Sequence, residues 1–224
     1  GQVELIERVC AVNPRTVVVL QGGAPMEMPW RDKPAAILLM YLSGCQGGGA
    51  AVDILAGDVS PSGKLAETWP ICLGDTALGV TYPDMDREVY YREGPFVGYR
   101  YYDAANIEPA YPFGFGMSYT SFAYRDLELT QRCVRLTVEN TGAYRGAEVV
   151  QLYVAPAPGV VPSPCPPQHL IAFEKVVLSP GESNRIEFAL DDEAFRVWDV
   201  QDHAWRVWPL SLIHISEPTR LGMI

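Results

Sequence analysis

The chain has 224 residues, of which 48% are hydrophobic and 20% are charged, and its formal net charge is −10. This composition is typical of a globular protein of one or two domains. The acidic balance, without a lysine and arginine cluster, argues against nucleic acid or an anionic membrane as partner. The longest apolar run, Ala35 to Leu42, is far shorter than the roughly 20 residues that a membrane-spanning helix needs.

The first hundred residues alternate between helix and strand patterns. Gln2 to Val12 carries apolar residues at helical spacing. Thr16 to Leu20 and Ala35 to Leu42 are continuous apolar runs, which are typical of strands buried on both faces. A glycine-rich loop and a short helix from Ala50 to Leu55 follow. This order predicts βαβ organisation and a mostly parallel sheet.

The segment Pro112 to Phe122 joins the two halves of the chain. Its glycines, Gly114 and Gly116, permit sharp backbone turns, and its aromatic rings are large enough to pack into both neighbours. We predict a rigid hinge here, with a domain boundary near residues 116 to 125. Phe113 and Phe115 are expected to be buried between the domains.

After Thr130 the apolar period changes to two, which is the pattern of half-buried strands. The alternating apolar positions are Val134, Leu136, Val138, Ile186, Phe188 and Leu190. Turn signals at Asn140-Thr141-Gly142 and Ser179-Pro180-Gly181 separate the runs. The pattern predicts an antiparallel β-sandwich, with Ala155 to Gln168, which contains several prolines, as a long loop.

Six blocks of the sequence are informative together: VNPRTVVVLQGGAPMEMPW from Val12, GDVSPSGKLAETWP from Gly57, YREGPFVGYRYYD from Tyr91, PFGFGMSYTSF from Pro112, ENTGAYRGAEVVQLYV from Glu139 and LIAFEKVVLSPGES from Leu170. In their order and spacing they resemble the carboxy-terminal part of family-3 glycoside hydrolases, the β-glucosidase group. The resemblance implies the second half of an α/β sandwich domain over residues 1–116. A fibronectin type III-like β-sandwich over residues 117–209 follows, and its last strand is expected to be missing.

The end of the chain, Leu210 to Ile224, has no counterpart in that family. Its sequence LSLIHISEPTR resembles one reading frame of a sequencing adapter, so we expect residues 210–224 to be a translated adapter. A natural amphipathic tail is the alternative. Because Leu212 to Ser216 alternates, it could add to an open sheet edge as a short strand, but we expect disorder there.

The resemblance implies retaining hydrolysis by two carboxylates. In relatives the nucleophile is an aspartate of an upstream barrel domain, and the acid/base is a glutamate in a loop before the helix that begins here at Gln2. Neither motif occurs in this sequence. We therefore expect no catalytic, cofactor-binding or metal-binding residue, and no hydrolysis of aryl β-glucosides by this chain alone.

The partners that the resemblance implies are the missing amino-terminal barrel domain and a β-linked glucoside or oligosaccharide. β-Xylosidase and β-N-acetylglucosaminidase specificities stay open, because sugar selection lies in the barrel. A non-catalytic carbohydrate-binding or interaction module is the alternative function. The sequence does not distinguish bacterial cytoplasm, periplasm and exterior.

Three carboxylates could still substitute for the absent pair. Glu93 is the best candidate because it lies among Tyr91, Arg92 and Arg100, but we expect it to pair with an arginine at a sheet edge, which would lower its pKa and make it a poor general acid. Glu27 is expected to cap or orient the loop that follows it. Asp53 is expected on the solvated face of its helix, opposite an apolar face of Val52, Leu55 and Ala56.

Other possible sites are weaker. The glycine loop Ser43 to Ala50 lacks the Lys-Ser/Thr of a phosphate-binding loop and the spacing of a dinucleotide fingerprint, so it predicts a turn. Cys165 and His169 have no further ligand nearby, and with His203 they are expected on surface loops. The five cysteines show no paired spacing, which favours free, mostly buried thiols.

Aromatic residues make up 11% of the chain, and an exposed cluster of them would suit carbohydrate. For five of them we expect core and inter-domain packing instead: Tyr99, Tyr101, Tyr102, Phe113 and Phe115. Because the missing half of the first domain would cover apolar surface, we also expect its sheet to be incomplete or exposed on one face.

Overall fold

The computed structural model describes residues 1–78, 88, 90–130, 132–156, 165–207 and 210–216. The helices of this part are α1 (Gln2–Val12), α2 (Gly47–Ala56) and α3 (Tyr99–Ala105), and short 3₁₀ turns lie at Leu73–Asp75 and Asp192–Phe195. The strands are β1 (Val17–Leu20), β2 (Ala36–Leu39), β3 (Phe122–Leu129), β4 (Cys133–Asn140), β5 (Gly146–Pro156), β6 (His169–Leu178), β7 (Ser183–Ala189), β8 (Arg196–Asp199), β9 (Ala204–Val207) and β10 (Leu210–Ser216).

The first half of the chain is built on a parallel pair of strands. β1 and β2 align in parallel with Val17 opposite Ala36 and Leu20 opposite Leu39. Their connection, residues 21–35, contains no helix, although parallel neighbours are usually joined by one. Instead, the loop contributes the buried side chains of Met28 and Trp30 to a small core that also contains Trp69.

The prediction that these strands are buried on both faces is wrong for β1. Val17 and Val19 are 41% and 42% exposed, whereas the alternate residues Val18 and Leu20 are half-buried against the core. A parallel sheet normally has helices over both faces, and no described residue buries this outer face. The expectation of a sheet exposed on one face is therefore confirmed for β1.

The second half is a sandwich of two antiparallel sheets, as the period-two pattern predicts. One sheet has the order β3–β4–β7 and the other the order β10–β5–β6. Along β4 every second residue is buried, because alternate side chains point to opposite faces of a strand. The shared core contains Val134, Leu136, Val138, Val150, Leu152, Val176, Leu178, Ile186, Phe188 and Leu190.

The loop was predicted to begin at Ala155, but β5 extends two residues into it and ends at Pro156. Residues 157–164 of that loop lie outside the described residues. After β7 the chain forms a separate antiparallel hairpin of β8 and β9, in which Trp198 lies opposite Trp205.

The end of the chain adds a strand to the sandwich. β10 pairs antiparallel with β5, with Ile213 opposite Val154 and Ser216 opposite Gln151. Our expectation of disorder is therefore wrong over residues 210–216, and residues 217–224 lie outside the described part. The physical reason is that an open sheet edge offers unpaired backbone N–H and C=O groups to any extended segment nearby.

Candidate functional site

Glu93, the best candidate for a substitute acid, lies half-buried in a turn. Among the described residues it forms no ion pair, and the nearby Arg87 lies outside them, so the pairing with an arginine stays a prediction. Two neighbouring guanidinium groups lie over tyrosine rings: Arg92 is 5.5 Å from the Tyr90 ring centroid and Arg100 is 5.7 Å from that of Tyr99.

Glu27 is exposed and is engaged in a backbone hydrogen bond. Its Oε1 accepts from the N–H of Leu73 at 2.7 Å, at the start of the 3₁₀ turn. Glu27 therefore orients a turn distant in sequence, because folding brings that turn beside the loop. This contact was not predicted.

Asp53 is exposed on α2, as expected. The apolar face that was predicted for this helix is wrong, however, since Val52 and Leu55 are 62% and 50% exposed. Ile54 and Ala51 are the half-buried residues. Helical spacing alone does not say which apolar stripe faces the protein when the helix is apolar on several sides.

The glycine loop before α2 is a turn, and it is filled by its own serine. Gly44 has φ +65°, in the left-handed region that favours glycine. A Cβ on the buried Gly47 would lie 2.1 Å from Ser43 Oγ. Since the serine side chain occupies the space beside the helix start, this loop does not resemble a phosphate cradle.

His169 is the first residue of β6 and half-buried, so its expected place on a surface loop is wrong. Burial lowers the pKa of its imidazole. His203 is exposed in the β8–β9 turn. Within the described residues, no group of histidine, cysteine, aspartate and glutamate side chains could hold a metal ion.

The five cysteines are free thiols, as expected. The expectation that most are buried is wrong, because Cys45 and Cys72 are exposed and the other three are partly buried. The exposed pair lies in connecting segments outside the helices and strands. Burial raises the pKa of the Cys165 thiol, which makes that residue less reactive.

The predicted hinge is held by backbone hydrogen bonds to the segment from Leu65 to Trp69. Leu65 N–H donates to Phe115 O at 2.8 Å, and Gly114 N–H donates to Leu65 O at 2.8 Å. Trp69 N–H donates to Tyr111 O at 2.8 Å. These hydrogen bonds fix the hinge segment to the first half of the chain.

The two hinge glycines lie at points where no side chain fits. A Cβ on Gly116 would be 2.2 Å from the backbone oxygen of Gly63. Gly114 has φ +81°, and a Cβ there would be 2.4 Å from Gln151 Oε1 of β5. Gly114 thus lies against a side chain of the second half, whereas Gly116 lies against the backbone of the first half.

A buried ion pair, which the sequence analysis missed, crosses between the halves. Lys64 Nζ lies 3.2 Å from Glu148 Oε1 and donates to Gly116 O at 2.7 Å, and the two side chains are 9% and 5% exposed. Burial raises the pKa of Glu148, and the Lys64 ammonium opposes this shift. The one signal in the sequence is a charged residue within the apolar run of β5.

Aromatic rings complete this contact between the halves. Tyr99 of α3 stacks on Phe113 at 5.1 Å and meets Tyr153 of β5 edge-on at 5.7 Å. The Leu170 N–H of β6 donates to Tyr99 Oη at 2.7 Å. Together with Tyr102, which is 6% exposed, they confirm the expected packing role.

Phe115 and Tyr101 also pack as expected. Phe115 lies 5.1 Å from Tyr111, and Tyr101 lies 5.6 Å from Tyr102. Phe113 and Phe115 are both partly buried, but Tyr119 of the same segment is 45% exposed. The hinge is thus packed through its first aromatic residues.

The contacts of Lys64 with Glu148 and of Tyr99 with Tyr153 therefore form an interface between the two halves. In the described residues, Glu27 binds a backbone N–H and Glu148 binds a lysine. In that part of the chain no helix is long and apolar enough to cross a bilayer.

Comparison with known proteins agrees with this organisation. Residues 1–119 match the Glycosyl hydrolase family 3 C-terminal domain, and residues 148–212 match the Fibronectin type III-like domain. The chain is 45% identical over 215 residues to thermostable beta-glucosidase B of Acetivibrio thermocellus. The alignment covers 92% of this chain and 28% of that protein.

Solved structures give the same result. The beta-glucosidase DesR of Streptomyces venezuelae, in complex with D-glucose, aligns with a TM-score of 0.86 at 37% identity, over 92% of this chain and 27% of DesR. The GH3 beta-glucosidase of Bifidobacterium adolescentis aligns with a TM-score of 0.87 at 38% identity, over 96% and 34% of the two chains. The chain thus spans about a quarter to a third of these relatives, and it belongs to glycoside hydrolase family 3, whose C-terminal domain it carries ahead of a fibronectin type III-like domain.

Proposed function

We propose that this chain is the carboxy-terminal part of a retaining, exo-acting β-glucosidase, and that it does not hydrolyse glycosides by itself. The observation that carries the proposal is that nearly the whole chain aligns with beta-glucosidases and covers about a quarter of their length. The complex of DesR with D-glucose supports a glucoside substrate. β-Xylosidase and β-N-acetylglucosaminidase activities remain the alternative specificities.

The absent catalytic residues belong to this proposal. Retaining hydrolysis needs two carboxyl groups about 5–5.5 Å apart on either side of the glycosidic bond. Glu93, Glu27 and Asp53 come from separate turns and a helix, and Glu27 is committed to a backbone N–H. The partner that would supply both carboxylates is an amino-terminal barrel domain of the parent protein.

Exposed apolar surface on the first half supports a covering partner. Val17 and Val19 of β1 and Leu5 and Val12 of α1 are between 41% and 83% exposed. Exposed apolar residues of this kind are typical of surfaces that another part of a protein covers. We propose that the preceding part of the parent protein covers them, and that it completes a larger, mostly parallel sheet around β1 and β2.

The domain limits are also proposed. The first domain comprises residues 1–116 and the second comprises residues 117–209, which is supported by the start of β3 at Phe122. Residues 210–224 are proposed to be a translated adapter, of which Leu210–Ser216 pairs with the β5 edge.

A hydrolysis assay tests the proposal. We expect the purified chain to release no p-nitrophenol from p-nitrophenyl β-D-glucoside, because both members of the carboxylate pair are absent. A complete family-3 β-glucosidase serves as the positive control. Sustained turnover that Glu93→Gln abolishes would refute the proposal and identify Glu93 as the acid.

The second candidate function is a non-catalytic carbohydrate-binding module. One observation favours it, namely the exposed tryptophans Trp198 and Trp205 on the β8–β9 hairpin. This function is compatible with the first, since binding and hydrolysis would reside in different parts of the parent protein.

A further inference from the structure

The β8–β9 hairpin presents two tryptophan rings to solvent. Trp198 and Trp205 lie directly opposite each other and therefore on the same face. They are 45% and 63% exposed, whereas Trp30 and Trp69 are 3% and 2% exposed. Their ring centroids are 5.5 Å apart and their planes meet at 72°. Because the rings meet edge to face, ring surface stays open to solvent.

The hairpin that carries these rings is fixed on its other face and at its turn. Arg206 lies 3.3 Å from Asp199 and also pairs with Asp202. Asp199 Oδ1 accepts from the N–H groups of Gln201 and Asp202 at 2.9 and 3.1 Å. Phe195, just before β8, packs against the sandwich core. The rings are thus held in place before any ligand arrives, which lowers the entropic cost of binding.

A cross-strand tryptophan pair also stabilises its own hairpin. That role does not account for the exposure of both rings, since apolar burial is what makes such a pair stabilising. The adjacent cross-strand pair on the same face is Arg196 and Val207. The face therefore has apolar ring surface beside one exposed guanidinium group.

The size of this face decides between classes of partner. A stable protein interface buries about 800 Å² on each partner, and a face of two rings on four-residue strands is much smaller. The net charge of −10 disfavours a nucleic acid, which binds through phosphate neutralisation. A pyranose ring has one apolar C–H face and a rim of hydroxyl groups, so it matches an indole face beside a guanidinium donor.

We propose that Trp198 and Trp205 form a carbohydrate-binding platform that takes β-linked gluco-oligosaccharide chains. The choice of glucose as the sugar rests on the proposed function, but the platform itself rests on the ring geometry. Arg196 donates hydrogen bonds to the sugar hydroxyls, and the indole faces contact the pyranose C–H groups.

Affinity gel electrophoresis of the whole chain tests this proposal, with barley β-glucan, xylan or no polysaccharide in the gel. We expect retardation by β-glucan and about twofold to tenfold weaker binding for Trp205→Ala, which matches the energy of one ring contact. Trp205→Phe should restore part of the binding. Phe173→Ala is the matched control, because Phe173 is 68% exposed on β6 of the same sandwich and lies outside the platform.

Each outcome decides the proposal. If neither polysaccharide retards the unsubstituted chain, the platform is overturned, and the same holds if the unsubstituted chain, Trp205→Ala and Trp205→Phe are retarded equally. Retardation by xylan alone keeps the platform but contradicts glucose as its sugar. Thermal unfolding of each variant separates lost binding from a lost fold. Since no hydrolysis is measured, failure here leaves the proposed β-glucosidase origin standing, and turnover in the hydrolysis assay would leave the platform standing.

Discussion

At the scale of single residues, the hinge glycines show why some positions tolerate no side chain. A Cβ added at Gly116 would lie 2.2 Å from the backbone oxygen of Gly63. A backbone oxygen cannot rotate away as a side chain can. We expect Gly116→Ala to lower the free energy of unfolding by about 1–3 kcal/mol, the usual cost of overpacking. Urea denaturation followed by tryptophan fluorescence measures this change.

Gly48 is the matched control for that substitution. It lies in α2, and an added Cβ would meet nothing within 4 Å. We expect Gly48→Ala to raise the free energy of unfolding by about 0.4–1 kcal/mol, because alanine restricts the unfolded chain. An equal loss in both variants would contradict the close approach at Gly116.

The buried carboxyl of Glu148 makes the free energy of unfolding depend on pH. Its pKa is raised above 4.5 in the folded protein by burial, so the folded state binds this proton more readily than the unfolded state. The contribution of Glu148 to stability is therefore most favourable below its unfolded pKa and declines as pH rises through its folded pKa. We expect the free energy of unfolding of the unsubstituted chain, relative to that of Glu148→Gln, to fall as pH rises from the unfolded pKa of Glu148 through its raised folded pKa.

Glu187 provides the opposite sign as a control. Its pKa is lowered, first of all by the hydrogen bond from Arg135. Its contribution is present above pH 4.5 and is lost as pH falls through the lowered pKa. Unfolding curves between pH 3 and 8 compare Glu187→Gln with Glu148→Gln. Parallel pH profiles for the two variants would show that burial does not dominate at Glu148.

At the scale of elements, β10 shows that an open edge recruits whatever extended segment is near. β5 is paired on one side with β6 and on the other with Leu210–Ser216. Deleting residues 210–224 would leave the β5 backbone unpaired on that side, and such edges pair with other chains. We expect the shortened chain to self-associate more strongly, as seen by sedimentation velocity at rising concentration.

The full chain under the same conditions is the reference for that deletion. Both forms keep the apolar surface of α1 and β1, so the difference between them reports the edge alone. Identical sedimentation of the two forms at every concentration would mean that β10 does not protect β5.

At the scale of the whole molecule, the ion pair between Lys64 and Glu148 couples the two halves. Removing one partner leaves a buried charge uncompensated, so we expect Lys64→Met to cost about 3–5 kcal/mol of unfolding free energy. The double variant Lys64→Met with Glu148→Leu should recover most of that loss. Urea unfolding should change from one transition towards two in the single variant, because the halves lose their shared contact.

Arg135 and Glu187 give the control for this coupling. They form a surface pair with side chains 36% and 53% exposed, and such pairs contribute little to stability because water and salt screen their charges. Arg135→Met should therefore leave a single transition and nearly unchanged stability. Additive losses in the Lys64 and Glu148 double variant would contradict a direct coupling between these residues.

Local patterns in the sequence predicted several elements and the antiparallel sandwich of the second half, but not the helix-free connection between β1 and β2. Helical spacing placed α1, period-two alternation placed the sandwich strands, and the glycine-aromatic segment from Pro112 marked the packed hinge. These features follow from side-chain geometry within a few residues, so they are present in the chain before it folds. The absence of the family's catalytic motifs was likewise an expectation from the sequence alone.

Only the tertiary structure decided which apolar faces are covered and which charges meet. Val17 and Val19 read as buried strand residues but lie exposed, because burial depends on the layer packed above them. The pairing of Lys64 with Glu148 joins residues 84 positions apart. The β5 edge pairs with Leu210–Ser216, a segment whose local pattern allowed either a strand or disorder. Each of these contacts is set by long-range packing, which no window of neighbouring residues contains.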